Sequence, residues 1–269
     1  MQSHLGFGDL LRYRTQEGAE REECAGTYFK IALPHRFFDG AFVGYVDADE
    51  LLVLPPGVTS IREVVARLDD AGAPSAVASV VAFFPTSAEG LERELAQSFA
   101  ALMDAYPWFQ CEAFVRFCPG RQPDLIGESK IACIFRRFDV KPGIVCKGWH
   151  RLWMPSRMKK ARAFQKSPRH KTPLVRRDGQ SRLNGSHYGN LPPSPDVLLT
   201  MAYFVFTAQF ADKIARATAW GAHPNAAAKY RYYATLLEKM RGVENAFLDK
   251  GSRRYEGPQQ LWDCGLMCW

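Results

Sequence analysis

Apolar positions fall into short runs along this chain, separated by turn-formers and charge. Residues 41–46, Ala-Phe-Val-Gly-Tyr-Val, are apolar almost throughout, and Leu51-Leu52-Val53-Leu54 follows before Pro55-Pro56. Short apolar runs bounded by breakers read as buried strands. Residues 76–84 form another such run, ended by Pro85, and residues 130–135 one more, entered through Gly127. Helical spacing shows elsewhere. Thr59-Ser60-Ile61-Arg62-Glu63 carries a capping-box pattern, so a helix is expected from there to about Asp70, stopping at Gly72. Residues 88–105 read as a helix or an ordered insertion. Leu199, Tyr203, Phe206, Phe210 and Ile214 fit one face of a helix over residues 197–220. A last helix is expected over residues 225–244, after Pro224, and the pattern from Leu10 to Ile31 is broadly helical.

Strand, helix and strand in order over residues 41–84 predict an α/β layer. The closing helices predict a C-terminal appendage. The expected organisation is a core over residues 1–195 and a helical extension over residues 196–269 packed on it.

Composition narrows the class. With 269 residues, 47% of them hydrophobic and 13% aromatic, the chain is long and apolar enough for a substantial core. Its seven cysteines are odd in number and form no C-x-x-C pair, which predicts free thiols, no disulfide partner and no zinc cluster. No signal peptide is visible at the start, and the apolar stretch at residues 197–208 is too short to span a bilayer. A cytoplasmic protein is expected, with docking on a membrane surface left open. The net charge of +7 belongs to one segment: residues 141–177 hold 12 Lys/Arg and no acid, leaving 23 basic against 28 acidic residues elsewhere. Such a segment attracts phosphate, nucleic acid or anionic lipid. Its prolines, at 142, 155, 168 and 173, exclude one long helix.

Asp47-Ala48-Asp49-Glu50 stands where the first apolar run ends. Three carboxylates beside a strand need a partner, because isolated buried charge is costly. A hard divalent cation, Mn²⁺ or Mg²⁺, is one, and it is commonly held by one or two carboxylates together with substrate phosphates. Asp47 and Asp49, at i and i+2, share a face on a strand. Glu50 points the other way there, toward bracing the turn or a catalytic role.

Several elements in order carry a resemblance. Tyr45-Val-Asp-Ala-Asp-Glu-Leu-Leu-Val-Leu-Pro55, Pro107-Trp108-Phe109, Lys171-Thr-Pro-Leu-Val175, Gly185-Ser186-His187 and Leu261-Trp-Asp-Cys-Gly-Leu-Met267 together resemble bacterial nucleotide-sugar glycosyltransferases of family 2 type, with the GT-A fold. The resemblance implies a GT-A-like mixed sheet flanked by helices. It also implies transfer of a sugar from a nucleotide-sugar donor to a glycan or other hydroxyl acceptor, with the metal on the diphosphate. Asp47, Asp49 and His187 are then the expected metal ligands. Lys171, Arg169 and Trp108 are expected at the donor, with Arg176 a further basic candidate, and Glu128 is expected as general base ahead of Glu112. Gln110 stands where such relatives often carry an acid. Only 46 residues precede Asp47, so the nucleotide-binding half is expected to be incomplete at the N-terminus. The sheet is then expected to have an open edge beside residues 41–46, or one covered by the N-terminal helix.

Two other readings stand beside this one. A catalytically impaired relative would use the same sheet to bind carbohydrate or protein. A nucleic-acid module would use residues 141–177, where Trp149, Trp153 and Phe164 interleave with the basic residues. No nucleic-acid motif occurs, and the acidic remainder argues against that partner.

Overall fold

A computed structural model describes residues 37, 38, 40–92, 98–111, 114–116, 124–126, 129–140, 169–181, 183, 184, 188–220 and 224–269. The expected helix at Leu10–Ile31, Glu112, Glu128, His187 and residues 141–168 of the basic segment lie outside them.

A mixed sheet organises the fold. Its longest strand is β3 (Ser75–Phe84), which matches the run ended by Pro85. On one side β10 (Leu198–Tyr203) lies parallel to it, from Leu198 opposite Val77 to Tyr203 opposite Ala82. On its other side β7 (His170–Arg176) runs antiparallel, with a register shift between Ala76 and Ala78. Off the main path, at the far end of β3, β4 (Trp108–Gln110) pairs with Phe83 and Phe84, and β11 (Ser252–Arg254) pairs with β4. The ends of the main path are β1 (Phe42–Gly44), antiparallel to β7, and β2 (Glu50–Val53), antiparallel to β10. Two small hairpins stand apart: β5 (Phe114–Arg116) with β6 (Asp124–Ile126), and β8 (Leu183–Asn184) with β9 (Tyr188–Gly189).

Helix α1 (Ile61–Asp70) forms where expected. Glu63 reaches back to the Thr59 backbone N–H and to the Thr59 and Ser60 hydroxyls, and these bonds hold its carboxyl below the usual range. At the other end Gly72 takes φ +60°, and the Ala73 N–H reaches the Leu68 carbonyl at 2.8 Å. That left-handed residue stops the helix without the cost a side chain would bring. Val64 and Leu68 face Ala76, Ala78, Leu174, Leu199 and Met201 on the sheet. Between β3 and β4 the chain forms a 3₁₀ turn at Ala88–Glu92 and α2 (Phe99–Ala105), the latter capped by Ser98. Helices α4 (Phe210–Trp220) and α5 (Pro224–Met240) cover the sheet near Phe84, with Phe206, Phe210, Tyr233 and Leu236 buried there. Helix α6 (Pro258–Asp263) closes the chain, with Leu261 and Leu266 buried against Val81 and Phe83.

Four expectations are corrected. Residues 130–135 are not a strand but the start of α3 (Lys130–Arg137), capped by the Ser129 hydroxyl, which accepts from the Ala132 N–H at 3.3 Å. Lys130, Cys133 and Ile134 are buried at helical spacing; a short apolar run fits either element until its flanks decide. Residues 197–220 are not one helix: β10 precedes α4, and its residues 198–202 are all buried. A strand between two others, covered on both faces, loses alternation and imitates a buried helix. The chain beyond residue 196 therefore supplies strands as well as helices.

The run at residues 41–46 is not a fully buried strand. Phe42 and Val43 are half-buried, and Val46 is exposed. Among the described residues β7 is the only strand paired with β1, and the N-terminal helix expected beside that edge lies outside them. Finally, Cys111 and Cys264 form a disulfide, with Cα atoms 5.7 Å apart, where free thiols were expected. The two stand 153 residues apart, a pairing that cysteine spacing cannot reveal. It ties the end of β4 to the end of α6. Cys133 is buried on α3 and Cys268 is exposed, and neither belongs to that disulfide.

Candidate functional site

The link from β1 to β2 carries the chain from one edge of the main sheet path to the other, and the acidic turn lies within it. Three backbone bonds fix it. The Tyr45 N–H donates to the Pro173 carbonyl at 2.8 Å, the Glu50 N–H to the Asp47 carbonyl at 3.1 Å, and the Phe204 N–H to the Asp49 carbonyl at 2.9 Å. The turn is thus anchored to β7 on one side and to the end of β10 on the other.

Lys171 is the centre of the site. It is buried on β7, and its ammonium pairs with Asp47 and, at 2.5 Å, with Glu50. Glu50 is buried as well, and its second oxygen accepts from the Asp47 N–H at 3.2 Å. Asp49 turns aside to Lys213 of α4, at 3.2 Å. Asp47 and Asp49 keep side chains 40% and 30% exposed, so both carboxylates reach solvent.

Tyr203 completes the cluster. It lies opposite Glu50 in the β2–β10 register. Burial raises its phenol well above the ordinary value, and the neighbouring carboxylates Asp49 and Glu50 raise it further. Its hydroxyl therefore stays a neutral donor and acceptor at any physiological pH.

The other expected residues sort differently. Arg169 stands two positions before Lys171, and its carbonyl accepts from the Val80 N–H at 2.8 Å. Arg176 is drawn away: it pairs with Asp69 of α1 and lies over the Phe42 ring, 5.0 Å from its centroid. Trp108 lies opposite Phe84 and packs against the aromatic cluster around α4 and α5. Lys213 and Tyr203 were missed as site residues. Tyr203 was read as one apolar contact among several on a helix face, and Lys213 belongs to a helix whose place the sequence does not reveal.

The donor set suits a hard cation in one respect. Two carboxylates, Asp47 and Glu50, converge on a single cationic atom, and hard oxygen donors of this kind hold Mg²⁺ or Mn²⁺. The place where they converge is the one that Lys171 Nζ occupies. Among the described residues no group of three or more His, Cys, Asp or Glu side chains is arranged to hold a metal ion.

A second buried lysine forms a separate polar centre. Lys130, at the start of α3, donates to Asp249 at 2.8 Å, to Ser252 at 3.0 Å and to Gln110 at 3.1 Å, and lies over the Phe84 ring. Burial lowers its affinity for the proton, and Asp249 opposes that. Burial also acts to raise the Asp249 carboxyl, but Lys130, the Gly251 N–H and Gln110 together hold it below the usual range. Gln110, the position where an acid was a reasonable expectation, is a member of this knot.

Among the described residues no helix is long and apolar enough to cross a membrane. Comparison of the chain with protein-family models, with curated proteins and with solved structures finds no match.

Proposed function

We propose that this chain is a GT-A-like glycosyltransferase unit, which moves a sugar from a nucleotide-sugar donor to a hydroxyl acceptor. The observation that carries the reading is the acidic turn itself. Asp47 and Asp49, on the link anchored to β7 and β10, and Glu50, the first residue of β2, bring three carboxylates side by side, and the Asp47 and Asp49 side chains are part-open to solvent. Hard oxygen donors of this kind are what a site for a divalent cation and its anionic ligand is built from.

In this reading Asp47, joined by Asp49 or Glu50, holds Mn²⁺ or Mg²⁺, which acts as a Lewis acid on the leaving diphosphate when bound. Lys171 on β7 and Arg169 just before that strand supply positive charge for the phosphates. Glu50 braces the turn through the Asp47 N–H, and Tyr203 supplies a neutral hydroxyl beside it.

One observation favours the second reading, a catalytically impaired relative that binds carbohydrate or protein. Every carboxylate of the turn already has a lysine partner, Asp47 and Glu50 through Lys171 and Asp49 through Lys213. A panel of nucleoside diphosphates and their sugar conjugates, titrated calorimetrically with and without Mn²⁺, separates the two. Metal-dependent binding of one nucleotide, followed by sugar release or transfer, is the expected result. Binding of a glycan with no response to nucleotide or metal would select the second reading.

A further inference from the structure

We infer that Arg177 and Tyr45, at the β1–β7 edge of the sheet, form a binding site for a small carboxylate. The Arg177 Nε and Nη2 groups take the two carboxylate oxygens, and the Tyr45 hydroxyl donates a third bond. The site does not depend on the metal-dependent reading of the acidic turn.

The starting point is an unanswered charge. Arg177 directly follows β7 and is 2% exposed. Its backbone is fixed at the sheet edge: the N–H donates to the Ala41 carbonyl at 2.8 Å, and the carbonyl accepts from the Gly40 N–H. The guanidinium donates from Nη1 to the Ser181 carbonyl at 2.8 Å. Its Nε and Nη2 groups are buried and meet no acceptor among the described residues. A guanidinium does not shed its proton, so the charge and two sets of donors stay unanswered, which is costly in a buried place.

The acids beside it are committed elsewhere. Asp178, next in the chain, accepts from the Ser181 N–H at 2.7 Å, the Gln180 N–H at 2.9 Å and the Ser181 hydroxyl at 3.2 Å. Those bonds, the Ser181 N–H first, hold its carboxyl below the usual range. Asp69 pairs with Arg176, which alternation places on the opposite face of the strand.

Tyr45 supplies the second donor. Val43 lies opposite Val175, so alternation puts Val43, Tyr45, Val175 and Arg177 on one face. Val43, Tyr45 and Val175 pack together there. The Tyr45 hydroxyl is buried and, like the guanidinium groups, meets no partner among the described residues. Burial raises the phenol above its ordinary value and the Arg177 charge acts against that, so phenol and guanidinium stand close enough to feel one another. They do not bond to each other. A single acceptor group between them would satisfy both.

Charge and shape choose the ligand class. The Nε–H and Nη2–H of an arginine point in parallel and match the two oxygens of a carboxylate. One guanidinium and one neutral hydroxyl make a site of single positive charge, which a carboxylate balances. A phosphate near neutral pH carries more than one negative charge and calls for a second cation. Lys171, on the same face, is already engaged by Asp47 and Glu50. Val43 and Val175 give the site an apolar wall. The turn at residues 178–181 brings the Ser181 carbonyl back to the guanidinium, and its exposed residues 178–180 are the cover that a ligand must lift.

A ligand that binds only the folded chain raises its unfolding midpoint. The test is thermal unfolding of the full chain in sodium acetate, against sodium chloride and sodium phosphate of equal ionic strength. Acetate should raise the midpoint about 2–4 °C above the chloride control at roughly five times its dissociation constant. Arg177→Met removes the unanswered charge, so it should melt no lower than the parent in chloride and show no added response to acetate. Tyr45→Phe should fold and bind acetate roughly tenfold more weakly.

Equal midpoints of the parent in acetate and chloride overturn the proposal, as does an acetate response that survives in Arg177→Met. A larger rise in phosphate than in acetate overturns the carboxylate assignment. Should Arg177→Met not fold, nuclear magnetic resonance of arginine side chains in the parent decides. The Arg177 Nε–H signal must move with acetate and not with chloride, and a signal unmoved by acetate overturns the proposal.

Discussion

Two buried lysines in this fold meet carboxylates in different ways. Lys130 has three partners, Asp249, Gln110 and Ser252, and no side-chain exposure. Its donors are used up, one charge meets one charge, and the knot joins α3, β4 and β11. Lys171 has two carboxylate partners in a turn that carries a third, and two of the three side chains remain substantially open to solvent. Both lysines are buried, and what separates them is their partners: Lys130 meets one carboxylate and two neutral groups, whereas Lys171 meets two carboxylates.

The largest expected effect tests the fastening lysine. Asp249→Ala leaves the Lys130 ammonium buried without its counter-charge, which typically costs about 3–5 kcal/mol. Urea unfolding should show that loss, while Asp47→Ala, at a more exposed position, should lose clearly less stability. Equal losses at the two sites would erase the contrast. The disulfide offers a comparable scale. Cys111→Ser should lower stability by about 2–4 kcal/mol, because the cross-link closes a long loop in the unfolded chain. Non-reducing mass spectrometry of the parent checks that the bond forms at all.

A pH series sharpens the same comparison. The Asp249 carboxyl is held below its ordinary value in the folded chain. A depressed carboxylate contributes stability that is fully present above the unfolded value near pH 4 and is lost as pH falls through the folded one. Unfolding free energy should therefore decline with acid below about pH 4, and Asp249→Asn should flatten that decline. A parent curve with no acid slope removable at Asp249 would show that the knot contributes little.

The smallest effect on stability is expected at Lys213. Its pair with Asp49 is exposed on both sides, so Lys213→Ala should change stability by less than about 1 kcal/mol. In binding it should act in the direction opposite to its size in stability, making Asp49 easier to recruit for a metal.

The elements most legible in the sequence are those with local signals. Helix α1 was readable at both ends because Glu63 and Gly72 act within a few residues of the backbone they satisfy. β3 was readable because Pro85 closes an unbroken apolar run. β10 was misread because a strand covered on both faces has no period to show, and α3 because six apolar-rich residues fit both periods. Within the site, Asp47, Asp49, Glu50 and Lys171 were named from sequence, and the structure brings all four together. What sequence could not give is the pairing itself. That Lys171 pairs with two of the carboxylates depends on β7 reaching the turn through contacts more than 120 residues apart. The expectations for His187 and Glu128 fall outside the described residues.

The central claim is that the acidic turn is a working cation and diphosphate site rather than a second structural knot. The most direct measurement is calorimetric binding of the nucleoside diphosphate selected from the panel, with Mn²⁺, to the parent chain and to Asp47→Asn, with unfolding curves for both. The account predicts that Asp47→Asn weakens metal-dependent binding roughly tenfold or more, while its unfolding curve stays close to the parent's. Unchanged binding in a folded Asp47→Asn, or no metal-dependent binding in the parent, would contradict it.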